Sequence, residues 1–271
     1  MQYKKGIFQL VKILMSNVDT IILSKIIFFL NSINYPDSLR IGKEIIEYTK
    51  GDEKRINNVK KRLSNNEPWE YIRGWSEFCG LDILVNRNVL IPRVETEQII
   101  KIASSFDKKF KQIIDIGCGS GAISIALKKI FKDVEIFGVD IDKKALNLVK
   151  KNAKNNSVNI KYIQSNLLAK IKIATPTLIV ANLPYIPSSE IKKLQPSVRD
   201  FEPKIALDGG KNGLEFIIKL LDQVRDNKNV IGVVLEMDPS QKEELKNYTT
   251  GFAHQFIKDS FGLFRFLKLY R

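Results

Sequence analysis

From Lys111 onward, short apolar runs alternate with amphipathic stretches, and this alternation limits what the chain can fold into. Residues 112–116, 134–139, 160–164, 177–181 and 230–236 read as strands; 122–131, 143–155 and 213–225 read as helices. Strands separated by helices cannot pair as hairpins, so each must cross over and lie parallel to its predecessor. The pattern predicts an α/β fold, a mostly parallel sheet with helices on both faces. At the end, 251–257 and 263–270 read as two strands around Gly262, added antiparallel.

The first of these strands runs through Asp115 into Gly117-Cys118-Gly119-Ser120-Gly121 and the next helix. Such a unit turns the free N–H groups of a helix N-terminus toward a ligand, and glycine lets the ligand approach the backbone. The five residues are read as the seat of a nucleotide-like cofactor. Their spacing is G-x-G-x-G, not the dinucleotide fingerprint G-x-G-x-x-G, and no Lys-Ser/Thr pair follows to grip a phosphate. Asp140, after the next strand, stands where a carboxylate accepts both hydroxyls of a ribose. Asp142 is the better N-cap for the following helix, which leaves Asp140 for the sugar. Asn166 and Leu167, after the third strand, are placed to bond an adenine amine and to cover its ring. Together these positions favour S-adenosylmethionine over NAD.

The fourth strand leads into Asn182-Leu183-Pro184-Tyr185-Ile186-Pro187. An amide nitrogen is a poor nucleophile because its lone pair is delocalised, so an enzyme that methylates it must hold the NH2 and aim it. Asn182 Oδ1 and the Leu183 carbonyl are suited to accept its two hydrogens. Pro184 biases Leu183 toward extended backbone, and Tyr185 offers a face to a planar group. Catalysis would then be mainly orientation in a dry pocket. Asn182, Pro184 and Tyr185 are the candidate catalytic residues; with Leu183 they form the candidate substrate site. The plain alternative is a turn, since Asn-x-Pro and Pro187 are turn residues.

A chain of 271 residues has room for a second, smaller domain. Residues 1–73 carry few strand signals. Ile21, Ile22, Lys25, Ile26 and Phe29 lie on helical spacing, residues 39–49 less regularly so. Asp52 reads as the N-cap of a helix through Ile56, Val59 and Leu63 that Asn65-Asn66 would end. The expected organisation is a helical domain over 1–73, a β-hairpin linker over 74–92 turning near Gly80, and the α/β domain over 93–271. Residues 89–91 are expected to be extended up to Pro92.

The net charge of +14 comes from scattered pairs such as Lys108-Lys109, Lys128-Lys129, Lys143-Lys144, Lys150-Lys151 and Lys192-Lys193. These read as solvated helix faces, with proximity to the ribosome or RNA as the competing reading. Cys79 and Cys118 are too few and too far apart for a disulfide framework or a zinc site, and with the single His254 no metal is expected. Residues 1–14 hold an apolar run broken by Lys12, and 21–30 is too short to span a bilayer. A cytoplasmic chain without membrane association is expected.

With these residues placed, the chain resembles the HemK-type release-factor glutamine methyltransferases. The likeness is carried by Glu67-Pro68-Trp69-Glu70-Tyr71-Ile72-Arg73-Gly74 and by Val89-Leu90-Ile91-Pro92-Arg93-Val94-Glu95-Thr96-Glu97. It continues in Arg199-Asp200-Phe201-Glu202-Pro203, in Ala206-Leu207-Asp208-Gly209-Gly210 with Gly213-Leu214, and in Leu235-Glu236, Gln241, Asp259, Gly262 and Arg265. The resemblance implies a helical substrate-recognition domain on a Rossmann-like, S-adenosylmethionine-dependent methyltransferase domain. It implies N5-methylation of the glutamine in the Gly-Gly-Gln motif of peptide-chain release factors, by a monomer. Residues 117–121, Asp140 and Asn182 would fall on cofactor contacts, and 182–185 on the glutamine site.

Three positions depart from the family pattern: Leu183 for the first proline of Asn-Pro-Pro-Tyr, Asn166 for an Asp, and Glu236-Met237-Asp238 for Glu-Ile-Gly. Asn-Leu-Pro-Tyr also resembles the motif of ribosomal RNA adenine dimethyltransferases. N6-methylation of adenine in ribosomal RNA, on a base flipped from its stack, is therefore the alternative; a non-enzymatic binder of termination factors is a third reading. Arg93 and Glu97 are expected either to pair or to face the substrate, Phe201-Glu202-Pro203 to form a loop over the pocket, and Trp69 and Trp75 to be core or junction aromatics.

Overall fold

A computed structural model describes residues 17–106 and 110–271; the run at 1–14 and the pair Lys108-Lys109 lie outside them. The chain divides into two compact units between Arg73 and Gly74.

The first unit is helical because its apolar residues recur every three or four positions. Helices α1 (Asn17–Ser32), α2 (Ser38–Thr49), α3 (Glu53–Ser64) and α4 (Trp69–Arg73) close around Ile26, Leu30, Ile45, Val59, Leu63 and Trp69. In α1 the inward stripe is Ile22, Ile26, Phe29 and Leu30, while Ile21 is 58% exposed. The five residues expected on helical spacing do share this helix, with Ile21 and Lys25 off its buried face. Helix α3 starts as expected, with Asp52 Oδ1 accepting the Arg55 N–H at 2.8 Å. It ends at Asn65-Asn66, where Asn66 turns to φ +62°. Residues 67–73 are anchored within this unit. Arg62 donates twice to Glu67 at 2.8 Å, and Trp69 Nε1 and Arg73 Nη1 both donate to Glu44 Oε2, at 2.7 and 2.6 Å. No helix among the described residues is long and apolar enough to cross a membrane.

The second unit opens with an antiparallel hairpin, β1 (Trp75–Phe78) and β2 (Leu81–Leu84). Cys79 and Gly80 at its tip have φ of +52° and +72°, the two-residue turn whose twist matches that of the strands. Residues 89–91 belong to no strand, although Val89 and Ile91 are buried. Helix α5 (Gln98–Ser104) was not expected; it buries Ile99, Ile100, Ile102 and Ala103.

The predicted alternation follows, each element within a residue or two of its expected bounds: β3 (Gln112–Ile116), α6 (Ala122–Ile130), β4 (Glu135–Asp140), α7 (Lys143–Asn155), β5 (Lys161–Gln164) and β6 (Thr177–Ala181). The short α8 (Pro196–Arg199) precedes α9 (Glu215–Val224), β7 (Val230–Glu236), the short α10 (Lys242–Leu245), β8 (Ala253–Lys258) and β9 (Phe264–Tyr270). The seven strands lie in the order β5-β4-β3-β6-β7-β9-β8. β3 to β7 pair parallel, and β9 runs antiparallel between β7 and β8. Every residue of β6 is buried, as the apolar run Leu178-Ile179-Val180-Ala181 requires of a central parallel strand.

Strand β3 pairs with β4 on one side and β6 on the other, so the crossovers depart in opposite directions. A crevice must open at the carboxyl ends of these two strands. The register Ile116↔Ala181 sets residue 117 beside residue 182, so the two motifs singled out in the sequence leave neighbouring strand ends together.

Candidate active site

A cavity of about 210 Å³ occupies this crevice. Gly117, Cys118, Gly119, Ser120, Asp140, Asn166, Leu167, Asn182, Leu183 and Pro184 all line it. Gly121 and Tyr185 do not: Gly121 precedes α6 at φ +83°, and Tyr185 lies behind the motif.

The glycine loop is held by the end of β4. Gly117 and Cys118 donate their N–H groups to the Val139 carbonyl at 2.8 and 3.0 Å. Asp140 Oδ2 accepts the Gly119 N–H and its Oδ1 the Asp142 N–H, each at 2.9 Å. A carboxylate oxygen has more than one acceptor site, so both oxygens keep capacity for a hydroxyl. Burial pushes the Asp140 pKa up and the two backbone N–H bonds oppose it. As expected, Asp142 caps α7, accepting the Lys144 N–H at 2.8 Å.

Asn152, fully buried on α7, was missed in the sequence. Its Nδ2 donates to the carbonyls of Ser120 and Leu84 (2.8 and 2.9 Å) and its Oδ1 accepts the Leu84 N–H (2.8 Å), tying the hairpin to the glycine loop. The available signal was one Asn on the apolar face of Ala145, Val149 and Ala153.

Asn182 sits at the head of a polar chain. Its Nδ2 donates to Thr96 Oγ1 at 3.1 Å, and Thr96 Oγ1 donates to Glu236 Oε2 at 2.6 Å. The other carboxylate oxygen, Oε1, accepts the Tyr185 hydroxyl at 3.0 Å. Glu236 is 2% exposed, at the end of β7. Burial raises its pKa, while the Thr96 and Tyr185 bonds and nearby Arg265 oppose the shift. Burial beside Glu236 holds the Tyr185 hydroxyl protonated well above its ordinary range. Sequence reasoning assigned no chemistry to Thr96 or Glu236, although both lie in stretches that carried the resemblance.

The backbone behind the motif is fixed as tightly. Ile186 exchanges hydrogen bonds with Leu207 and Gly209 (3.1 and 2.8 Å), and Gln241 Nε2 donates to the Tyr185 carbonyl at 2.9 Å. Arg93 pairs with Glu202 at 2.6 Å, not with Glu97, which instead accepts the Cys79 N–H at 2.7 Å. Phe201 lies under the Arg87 guanidinium, 4.7 Å from ring centre to Cζ. Phe201, Glu202 and Pro203 do not line the cavity, although Ile205 and Ala206 just beyond them do; Trp69 is a core residue, as expected, 1% exposed.

Asp115 is fully buried at the end of β3. Its Oδ2 accepts the Ser124 N–H at 3.0 Å and hydroxyl at 2.5 Å, and its Oδ1 has no hydrogen-bond partner among the described residues. Burial pushes its pKa from 3.8 up to about 7; the Ser124 bonds oppose this and Asp140 adds to it. The unfolded chain releases this proton at lower pH than the folded one. The stability it supplies is therefore complete below the unfolded pKa and lost as pH rises through about 7. Asp115→Asn, which cannot titrate, should gain on the wild type by roughly 2 kcal/mol between about pH 5.5 and about pH 8. Paired thermal melts read the difference; a gap that is the same at both pH values would show an ordinary carboxyl.

A glycine loop and carboxylate at adjoining strand ends, beside an amide-bearing motif on the next strand, define the second unit as a Rossmann-like methyltransferase. The methyltransferase small domain family matches residues 100–195. The solved methyltransferase from Pyrococcus furiosus shares the fold, with a TM-score of 0.52 at 21% identity over 79% of this chain and 97% of that one. The release factor glutamine methyltransferase of Geobacter sulfurreducens is 36% identical over 198 residues, 72% of this chain and 70% of that protein. That of Lactococcus lactis subsp. lactis is 40% identical over 195 residues, 72% and 71% of the two chains. The chain belongs to the release factor glutamine methyltransferase family.

Proposed function

We propose that this protein methylates N5 of the glutamine in the Gly-Gly-Gln motif of peptide-chain release factors, with S-adenosylmethionine as the donor. The observation that carries the reading is the Asn182–Thr96 hydrogen bond beside the glycine loop. It commits the NH2 end of Asn182 and leaves Oδ1 as the end available to a substrate amide. The open cradle above the loop supports the donor: a Cβ on Gly119 would meet nothing nearer than the Gly117 carbonyl at 3.9 Å.

When bound, S-adenosylmethionine supplies an electrophilic methyl group on a sulfonium. Residues 117–120, which line the cavity, would hold the donor; Asp140 would accept its ribose hydroxyls, and Asn166 and Leu167 would meet its adenine. Asn182 stands between donor and substrate. Its Oδ1 and the Leu183 carbonyl accept the two hydrogens of the glutamine NH2, which points the nitrogen lone pair at the methyl group. Pro184 fixes the backbone that presents the Leu183 carbonyl, and Tyr185 backs the motif. Leu183 differs from proline in its side chain, which is buried, and not in the carbonyl the substrate needs. Asn166 keeps an acceptor for the adenine amine. The proton can leave after transfer, so no strong base is required.

The ribosomal RNA alternative shares the NH2-holding geometry, but the relatives are named for glutamine, and glutamine is the reading adopted. In this reading the first unit recognises the substrate, the protein works as a cytoplasmic monomer, and its +14 charge suits a factor met near the ribosome. The full chain, incubated with S-adenosylmethionine and separately with a release factor and ribosomal RNA, is expected to place one methyl on the Gly-Gly-Gln glutamine, read by mass spectrometry. Methyl on adenine alone, or on neither acceptor, would sink the proposal.

A further inference from the structure

The shape of an Asn side chain does not say which end faces a ligand. Oxygen and NH2 are nearly the same size, so the Asn182 amide could present either end to the cavity. The two orientations are opposite in function. With Oδ1 inward the residue accepts a hydrogen from a substrate NH2; with Nδ2 inward it sets donor against donor.

The hydrogen-bond chain behind Asn182 decides between them. Both Glu236 oxygens face hydroxyl donors, Oε1 the Tyr185 hydroxyl and Oε2 the Thr96 hydroxyl, so both act as acceptors. The one hydrogen of Thr96 Oγ1 therefore goes to Glu236 Oε2, at 2.6 Å. Having given it, Thr96 Oγ1 can only accept from the group 3.1 Å away on Asn182, which must be the NH2 end. Glu236 is itself held in place, since the Tyr185 hydroxyl donates to its second oxygen at 3.0 Å and the residue is almost fully buried. The three anchor points come from separate elements: Thr96 from the turn at 95–97, Glu236 from the end of β7, Asn182 from the end of β6.

We propose that Glu236 and Thr96 are positioning residues that set the polarity of Asn182, so that its carbonyl oxygen and not its NH2 faces the substrate. The proposal rests on the reading of Asn182 as the acceptor of the substrate amide. Thr96 lines the cavity and Glu236 stands behind it; both act on Asn182 through the direction in which one hydroxyl hydrogen points.

Thr96→Val keeps the shape and removes the hydroxyl, whereas Thr96→Ser keeps the hydroxyl. On the full chain with a release factor, Thr96→Val is expected to lower kcat by roughly 10²-fold, the scale of a misaligned reacting group. Its affinity for S-adenosylhomocysteine should stay within about twofold and Thr96→Ser within about fivefold of wild-type kcat, because the orientation and not the cavity is what changes. Thr96→Val within about threefold of wild type, or Thr96→Ser as slow as Thr96→Val, would overturn the proposal. If Thr96→Val does not fold, Thr96→Ala is compared with Thr96→Ser on the same terms.

A second measurement needs no turnover. The side-chain NH2 signals of Asn182, assigned by their loss in Asn182→Asp, are expected in wild-type nitrogen–proton spectra with one proton shifted by its bond to Thr96. That shift should vanish in the Thr96 variant lacking the hydroxyl. Signals at the ordinary amide position in the wild type would also overturn the proposal. A wild type with no methyl transfer would instead defeat the release-factor reading, and the spectra would still decide the polarity of Asn182.

Discussion

Asn182→Ala is expected to slow methyl transfer by about 10²- to 10³-fold, the cost of removing one preorganised hydrogen-bonding group from a reacting centre. The effect should fall on the chemical step because Asn182 supplies orientation to an intrinsically weak nucleophile. The variant should still fold. Asn182 is only partly buried, and Thr96, its side-chain hydrogen-bond partner among the described residues, keeps its bond to Glu236 when the amide is gone. The stability cost is then that of one ordinary hydrogen bond, about 1 kcal/mol. Single-turnover rates with a release factor, alongside thermal melts, separate the two quantities. A variant that transfers methyl within threefold of wild type would show that the acceptor of the substrate amide lies elsewhere.

Much of this arrangement was legible in the sequence, and for identifiable reasons. Strands buried on both faces must be nearly continuous apolar runs, so 177–181 and 230–236 declared both their type and their bounds. The glycine loop and Asn182 announced themselves because the backbone freedom of glycine and the side chain of Asn serve few purposes at a strand end. Less was legible wherever the signal was uniform or the partner distant. In α1 the spacing showed a helix but not which of its apolar residues would face out, as Ile21 does. Helix α5 is short and follows Pro92 and an irregular stretch, which masked its periodicity. Arg93 was expected either to pair with Glu97 or to face the substrate; it lines the cavity, and its partner is not Glu97 but Glu202, 109 residues away. The Asn182–Thr96 and Thr96–Glu236 bonds span 86 and 140 residues. Spacing in sequence carries no information at such separations; only the strand order brings β6, β7 and the turn at 95–97 together.

Gly213→Ala and Gly119→Ala should fail in opposite ways, and the contrast separates scaffold from cradle. Both glycines have positive φ, +73° and +53°, so either alanine pays the left-handed penalty of about 1 kcal/mol. Beyond that they differ. A Cβ at Gly213 would lie 2.1 Å from the Tyr185 carbonyl oxygen and 2.6 Å from Gln241 Nε2, inside the contacts that hold the substrate motif from behind. Neither the backbone nor the buried amide can retreat without breaking the bond between them, so an overpacking cost of roughly 2 kcal/mol adds to the strain. The melting temperature is expected to drop by on the order of 10 °C, with activity lost alongside it. At Gly119 the new methyl meets no protein atom nearer than 3.9 Å and projects into open space above the loop. Only an occupant of that space would collide with it. Gly119→Ala should therefore melt within a few degrees of wild type yet bind S-adenosylhomocysteine roughly 10-fold or more weakly, since close approach to the loop is what glycine permits. Calorimetric titration beside thermal melts reads both. Undiminished cofactor affinity in Gly119→Ala would mean that the loop walls the cavity without touching what fills it.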